Sequence, residues 1–262
     1  MRHIARGCLR LLMLALVVGA LFHLTRLPFF TISSVSVEGG ETVSHEAVRE
    51  KVRAVLNGTY LLIVPRSFAY LYPHDEIIRS IESMPRVKEI SLVRLDRTLL
   101  AVTFKEHMPH ALWCTEGTET CWFMDEEGYA FTEAPMIAGG VLVRHYGAEE
   151  IREGQVLDAA ALASIDTFIQ EVHRLGFRVA SVHYRSTGDV DFSLHRGGTI
   201  RTSGKDFDLA LENVRAIVLS PEFKHLRPGN FGYIDVRFDG KAFVNESIAP
   251  QATTTPTTTD SL

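Results

Sequence analysis

The chain is short of several things that would point to chemistry, and each shortage excludes something. No acidic residue precedes Glu38, whereas Arg2, Arg6, Arg10 and Arg26 all fall in that stretch. Setting those four aside leaves 23 basic against 32 acidic side chains, a balance of −9. Such a surface repels phosphate backbones, which excludes nucleic acid as a partner. Catalytic signatures are missing too. His45-Glu46 opens the zinc-protease pattern, but Arg49 occupies the second ligand position. Five residues separate Gly198 from Gly204 where a phosphate loop needs four, and Asp206 follows Lys205 in place of Ser or Thr. A Gly-x-Ser-x-Gly elbow is absent. His74-Asp75-Glu76, the pair His107 and His110 around Pro109, and the acid pairs Glu126-Glu127 and Glu149-Glu150 suit solvated surface better than a site. The sequence therefore predicts no catalytic, cofactor-binding or metal-binding residue, and not an enzyme. It also contains no internal repeat.

Cysteine is scarce as well, and its placement is informative. Cys8 lies in the apolar N-terminal segment; Cys114 and Cys121 flank a short loop. Closing that loop stabilises by about 2.5 kcal/mol in the chain-entropy model. A disulfide between Cys114 and Cys121 is the expectation in an oxidising compartment, with two unrelated buried thiols as the alternative. A zinc site would need two further ligands, and none stands nearby.

Residues 11–22 are twelve apolar or small residues without a charge, preceded by three arginines. Widened to 8–24, the segment includes Arg10 and His23, and Arg10 would have to snorkel. It reads either as a membrane anchor or as a signal peptide cleaved near Val18-Gly19-Ala20. Both export the rest of the chain and leave the arginine end in the cytoplasm. At the other end, residues 247–262 are Thr-rich with too few apolar groups to offset the entropy of ordering, and are expected to be a disordered tail.

Between these ends the 262 residues have room for two modest domains. Residues 29–107 predict strand, helix, helix, strand, strand. A strand holding Val35 and Val37 ends at Gly39-Gly40. Ser44 caps a helix with Val48, Val52, Val55 and Leu56 on one face, and Asn57-Gly58 stops it. A second helix after Pro73 turns Ile77, Ile78 and Ile81 inward and closes at Met84-Pro85. A hairpin over 87–94 and 98–106 sets Ile90 and Leu92 opposite Leu100, Val102 and Phe104. Two helices covering one face of a three-stranded sheet is the natural solution. Residues 108–246 predict a mainly antiparallel β domain with two helices, over 159–175 and 207–219. The fold class is α+β.

The order of these pieces resembles the FtsQ/DivIB family of bacterial cell-division proteins. The strings at 30–39, at 85–94 and at 98–111 are similar to the strands of that family's POTRA domain. Asp125, Gly128 and Phe131 match its "D-x-x-G-x-x-F" turn; Pro135, Ile137 and Gly139 fall where it often has another Pro and Gly; and 233–238 resembles its closing strand. The resemblance implies a cytoplasmic N-terminus over 1–8, a transmembrane helix over 9–27 holding the chain in the lipid bilayer, a POTRA domain over 29–107 and an FtsQ-type β domain over 108–246. It implies a single-pass protein of the cytoplasmic (inner) membrane, its N-terminus inside, acting at the division septum as a scaffold that binds FtsB-like and FtsL-like partners. A POTRA-bearing accessory of outer-membrane protein insertion or secretion, or an exported hydrolase, is the alternative.

The last strands carry the expected binding site. Ile234, Val236 and Phe238 alternate inward to hold 233–238 to the domain, and 241–245 offers an open edge to an extended partner segment. The partner-binding residues are then Arg237, Phe238, Lys241, Ala242, Phe243 and Val244. Arg237 would pair with an acid of the partner, and Ala242, Phe243 and Val244 would supply apolar contact.

Overall fold

The structure is a computed structural model that describes residues 2–136, 140–148, 153–238 and 240–246, with side chains from Leu9 onward. Ile137, Gly139, the pair Glu149-Glu150 and the segment from 247 onward lie outside the described residues. The chain divides into two compact units, Met1–His107 and Met108–Leu262.

The first unit begins with helix α1 (Arg2–Leu24) and a single 3₁₀ turn, Pro28–Phe30. Here the structure corrects the sequence reading: among the described residues no helix is long and apolar enough to cross a membrane. The reason is length. The charge-free run over 11–22 rises only about 18 Å, against a hydrocarbon core of about 30 Å. The expected transmembrane helix over 9–27 is withdrawn.

Strand β1 (Ser34–Glu38), helix α2 (His45–Leu56), the short strands β2 (Thr59–Tyr60) and β3 (Val64–Pro65), helix α3 (His74–Glu82) and strands β4 (Val87–Arg94) and β5 (Leu99–Glu106) follow. The sheet order is β1-β5-β4, with β1 parallel and β4 antiparallel to the central β5. Ser44 caps α2 by accepting from the Ala47 amide. Val48, Val52 and Leu56 of that helix and Ile77 and Ile81 of α3 pack on Val37, Leu92, Leu100, Val102 and Phe104 of the sheet. A bulge in β4 departs from the expected alternation. Glu89 and Ile90 together fall opposite Phe104, Glu89 takes φ 50°, and Ile90 is only partly buried. The Glu106 carboxylate closes the unit by accepting from the Thr42 and Val43 amides and the Thr42 hydroxyl. Burial opposes its charge, but these donors outweigh burial and hold its pKa below the ordinary value.

The link between β2 and β3 is strained. Leu61 (φ 47°) and Leu62 (φ 63°) are the central residues of a turn closed by the Ile63 N–H donating to the Tyr60 carbonyl. Positive φ at both positions is the pattern of a type I′ turn, which favours Asn-Gly. A side chain with a Cβ costs about 1–2 kcal/mol at each.

The second unit holds strands β6 (Ala111–Thr115), β7 (Cys121–Met124), β8 (Tyr129–Ala134), β9 (Arg144–Gly147) and β10 (Gly154–Gln155), then helix α4 (Ala159–Arg174). Strands β11 (Val179–Tyr184), β12 (Val190–Leu194) and β13 (Thr199–Thr202), helix α5 (Phe207–Leu219) and strands β14 (Tyr233–Phe238) and β15 (Lys241–Asn245) complete it. Its ten strands form one sheet, ordered β10-β8-β7-β6-β9-β11-β12-β13-β14-β15. The pairs β6–β9, β9–β11 and β13–β14 are parallel and the rest antiparallel. Asp158 and Asp206 cap α4 and α5. The two helices bury Ile165, Phe168, Val172, Val214 and Ile217 against Val182, Phe192, Leu194, Ile200, Ile234 and Val236.

The Asp125-x-x-Gly128-x-x-Phe131 string is the turn from β7 to β8. The buried Asp125 carboxylate accepts from the Glu127 and Tyr129 amides, and Phe131 is buried. Gly128 takes φ 81°, and a Cβ there would sit 2.3 Å from the Leu157 carbonyl oxygen, so only glycine fits.

Candidate partner-binding edge

Strand β15 lies at one end of the ten-stranded sheet, and among the described residues no strand lies beyond it. It is held by β14 through the pairs Tyr233–Asn245, Ile234–Val244, Asp235–Phe243 and Phe238–Lys241. Two residues of β14, Val236 and Arg237, thus oppose the single residue Ala242: a bulge.

The six expected binding residues do not share one environment. Phe243 is 51% exposed and Phe238 is 49% exposed. Their rings meet edge to face with centroids 5.8 Å apart, forming an apolar step beside the open edge. Lys241 and Ala242 are exposed. Val244, by contrast, is partly buried and packs against the core, because its partner Ile234 points toward the helices. The expectation that Phe238 faces inward is corrected, since the bulge reverses the side-chain phase of β14 after Val236.

Arg237 is corrected as well. Its guanidinium donates to Asp235 through Nε (2.9 Å) and Nη2 (2.7 Å) and to Asp189 through Nη1 (2.9 Å). It is therefore engaged within the chain. Burial opposes the Asp235 charge, yet the hydrogen bonds from Arg237 outweigh it and hold that carboxyl below its ordinary pKa. Hydrogen bonds to Asp235 and then Asp189 raise Arg237 in turn. The Arg201 cation lies 4.2 Å from the centre of the Tyr233 ring on the same sheet. These contacts fasten β14 to Asp189, just before β12, and to β13, and leave the aromatic step and the edge of β15 as the features turned outward.

Cys114 and Cys121, paired directly across β6 and β7, are joined by a disulfide with Cα atoms 4.1 Å apart. Next to it runs a buried polar row that sequence reading passed over. Trp113 stacks on Tyr184 (5.3 Å), and His145 Nδ1 lies 2.7 Å from the Tyr184 hydroxyl. Burial, with a smaller contribution from the charge of His110, lowers the His145 pKa to about 3 and keeps the ring neutral. His110 itself pairs with Asp166 at 2.7 Å. The His145 ring is fully buried, so it serves packing and orientation. Among the described residues no group of three or more His, Cys, Asp or Glu side chains could hold a metal ion. In comparisons with known proteins, the chain matches no protein-family model and no curated protein.

Proposed function

We propose that this chain is a protein-binding scaffold of bacterial cell division, of the kind that FtsQ/DivIB proteins represent. It captures an extended segment of an FtsB-like or FtsL-like partner by adding it to the sheet beside β15. The observation that carries this reading is that β15 is an edge strand, with no strand beyond it among the described residues, and that Phe238 and Phe243 stand half exposed at that edge. An added strand would satisfy its backbone by pairing with β15 and bury its apolar side chains on the aromatic step. The disulfide fits work outside the cytoplasm, where thiols oxidise. No membrane-crossing helix enters the reading.

The test is depletion followed by complementation. Loss of the protein should give filamentous cells without septa; loss of outer-membrane proteins with normal septation would refute the assignment to division. Phe243→Lys should fail to restore septa while the protein accumulates normally. About 100 Å² of apolar surface would no longer be covered by the partner, worth about 2.5 kcal/mol or roughly 70-fold in affinity. The thermal transition should move little, because Phe243 loses mainly its edge contact with Phe238. Septation restored by Phe243→Lys would place the interface elsewhere.

A further inference from the structure

The first unit carries a second outward-facing feature, unrelated to the β15 edge. Leu61 and Leu62, at the strained turn between β2 and β3, are 91% and 85% exposed. Two leucines with φ above zero at the central positions of this turn are unfavourable twice over: the backbone prefers Asn-Gly there, and the side chains are almost wholly exposed. Strain held at an exposed position points to a use for those side chains.

The surroundings say what the use is. Arg26, at the end of α1, donates to the Ile63 carbonyl at 2.7 Å and lies over the Phe22 ring at 3.5 Å, so the hairpin is tied to the end of that helix. Leu27 and Phe29 follow and are exposed. Phe30 carries the chain back to the hairpin's flank, where its carbonyl accepts from the Ala69 amide, and Tyr70 and Leu71 beside it are exposed too. Cations stand over the aromatic rings: Arg97 at 4.3 Å from Phe29 and Arg94 at 4.9 Å from Tyr70. Asp96, in the same loop as Arg97, turns its carboxylate onto the Thr98 and Leu99 amides. Exposed leucines, aromatic rings and arginines linked by these contacts are the chemistries that a bilayer's acyl chains, interface and anionic headgroups accept. The leucines also sit on a projecting turn. A protein partner would need a pocket shaped for them, whereas a lipid surface accepts a projection without one.

We propose that the Leu61-Leu62 turn inserts into the interface of an anionic lipid bilayer, with Arg26 and Arg97 facing the headgroups. This contact is peripheral and requires no segment that spans the membrane.

The test compares the full chain with the double variant Leu61→Asn/Leu62→Gly on phosphatidylglycerol-containing phosphatidylcholine vesicles. Asn-Gly suits the turn, so the variant should melt at the same temperature or higher, which removes misfolding as an explanation. Its partition onto vesicles should fall about tenfold or more, the worth of taking even one leucine side chain out of an apolar phase. In a second measurement Leu62→Cys, in a Cys8→Ser background, carries an environment-sensitive fluorophore, and Asp75→Cys serves as the control on α3. Brominated lipid should quench the label at position 62 and spare the one at 75. Equal partition of the two chains, absence of vesicle binding by the parent chain, or a label at 62 that stays unquenched on bound protein would overturn the proposal. The last result would assign the turn to a protein partner instead.

Discussion

His145 makes the stability of the second unit depend on pH in a way that can be worked out in advance. Its ring is buried and its pKa is lowered from 6.5 to about 3, first by burial and then by the charge of His110. In the unfolded chain the same ring takes a proton near pH 6.5. Between these values the unfolded state binds a proton that the folded state refuses, so stability falls as pH drops below about 6.5 and keeps falling toward 3. At pH 5 the interval already crossed is about 1.5 pH units, which costs about 2 kcal/mol. Urea unfolding followed by tryptophan fluorescence is the suitable assay. The chain has two tryptophans, and Trp113 and Trp122 face each other across β6 and β7, so the signal reports this unit alone. The control is His145→Gln, whose amide can still meet the Tyr184 hydroxyl but does not titrate. Other groups, His183 among them, contribute equally to both chains and cancel in the comparison. From pH 7 to pH 5 the parent should lose about 2 kcal/mol more than the variant. Equal losses would show that His145 is protonated in the folded state near its ordinary pKa, and the burial argument would fail.

Two further perturbations read other parts of the same unit. Arg237→Met leaves the buried Asp235 and the adjacent Asp189 without their shared cation, and should cost about 2–3 kcal/mol in urea unfolding, discounted because the guanidinium is partly exposed; a loss below about 0.5 kcal/mol would mean that water replaces it freely. Reducing the Cys114–Cys121 bond should lower stability by about 2.5 kcal/mol and shift the Trp113 and Trp122 emission, whereas thiol labelling of both cysteines in untreated protein would show that the bond does not form.

Local chemistry made much of the first unit legible. Ser44 before a run of valines at helical spacing specifies where α2 begins and which face it buries, and Met84-Pro85 ends the segment holding α3. The β7–β8 turn was visible only through the resemblance of Asp125-x-x-Gly128-x-x-Phe131 to a family string, behind which stand a buried carboxylate and a glycine at φ 81°. The order of strands in the second unit was not visible. Strand β9 enters between β6 and β11, parallel to both, and parallel neighbours share no turn that would announce the pairing. The N-terminal helix was misjudged for a different reason. Its composition left an anchor and a signal peptide open and the family resemblance implied the anchor, but the arginines before residue 11 leave a charge-free stretch too short to span. The buried row of Trp113, His145 and Tyr184 could have been suspected only from knowing that β6, β9 and β11 lie side by side.

The error at β14 is the most instructive, because a single inserted residue explains it and also creates the candidate site. Strict alternation from Ile234 sends Val236 and Phe238 inward and Asp235 and Arg237 outward, and the sequence supports that reading at every position but one. With Val236 and Arg237 both opposite Ala242, the phase reverses, and Phe238 emerges on the side where Phe243 already stands across from Asp235. Arg237 lies back over Asp235, two residues before it, which is only 4% exposed and would otherwise be an unpaired buried charge. The exposed aromatic step is therefore the consequence of one backbone irregularity. A bulge and Lys241 are also devices that discourage indiscriminate pairing at a sheet edge. Under the proposed function, an edge guarded against random strands yet carrying two phenylalanines in the open would be selective: a docking strand would have to supply apolar side chains to cover Phe238 and Phe243 as well as a backbone to pair with β15.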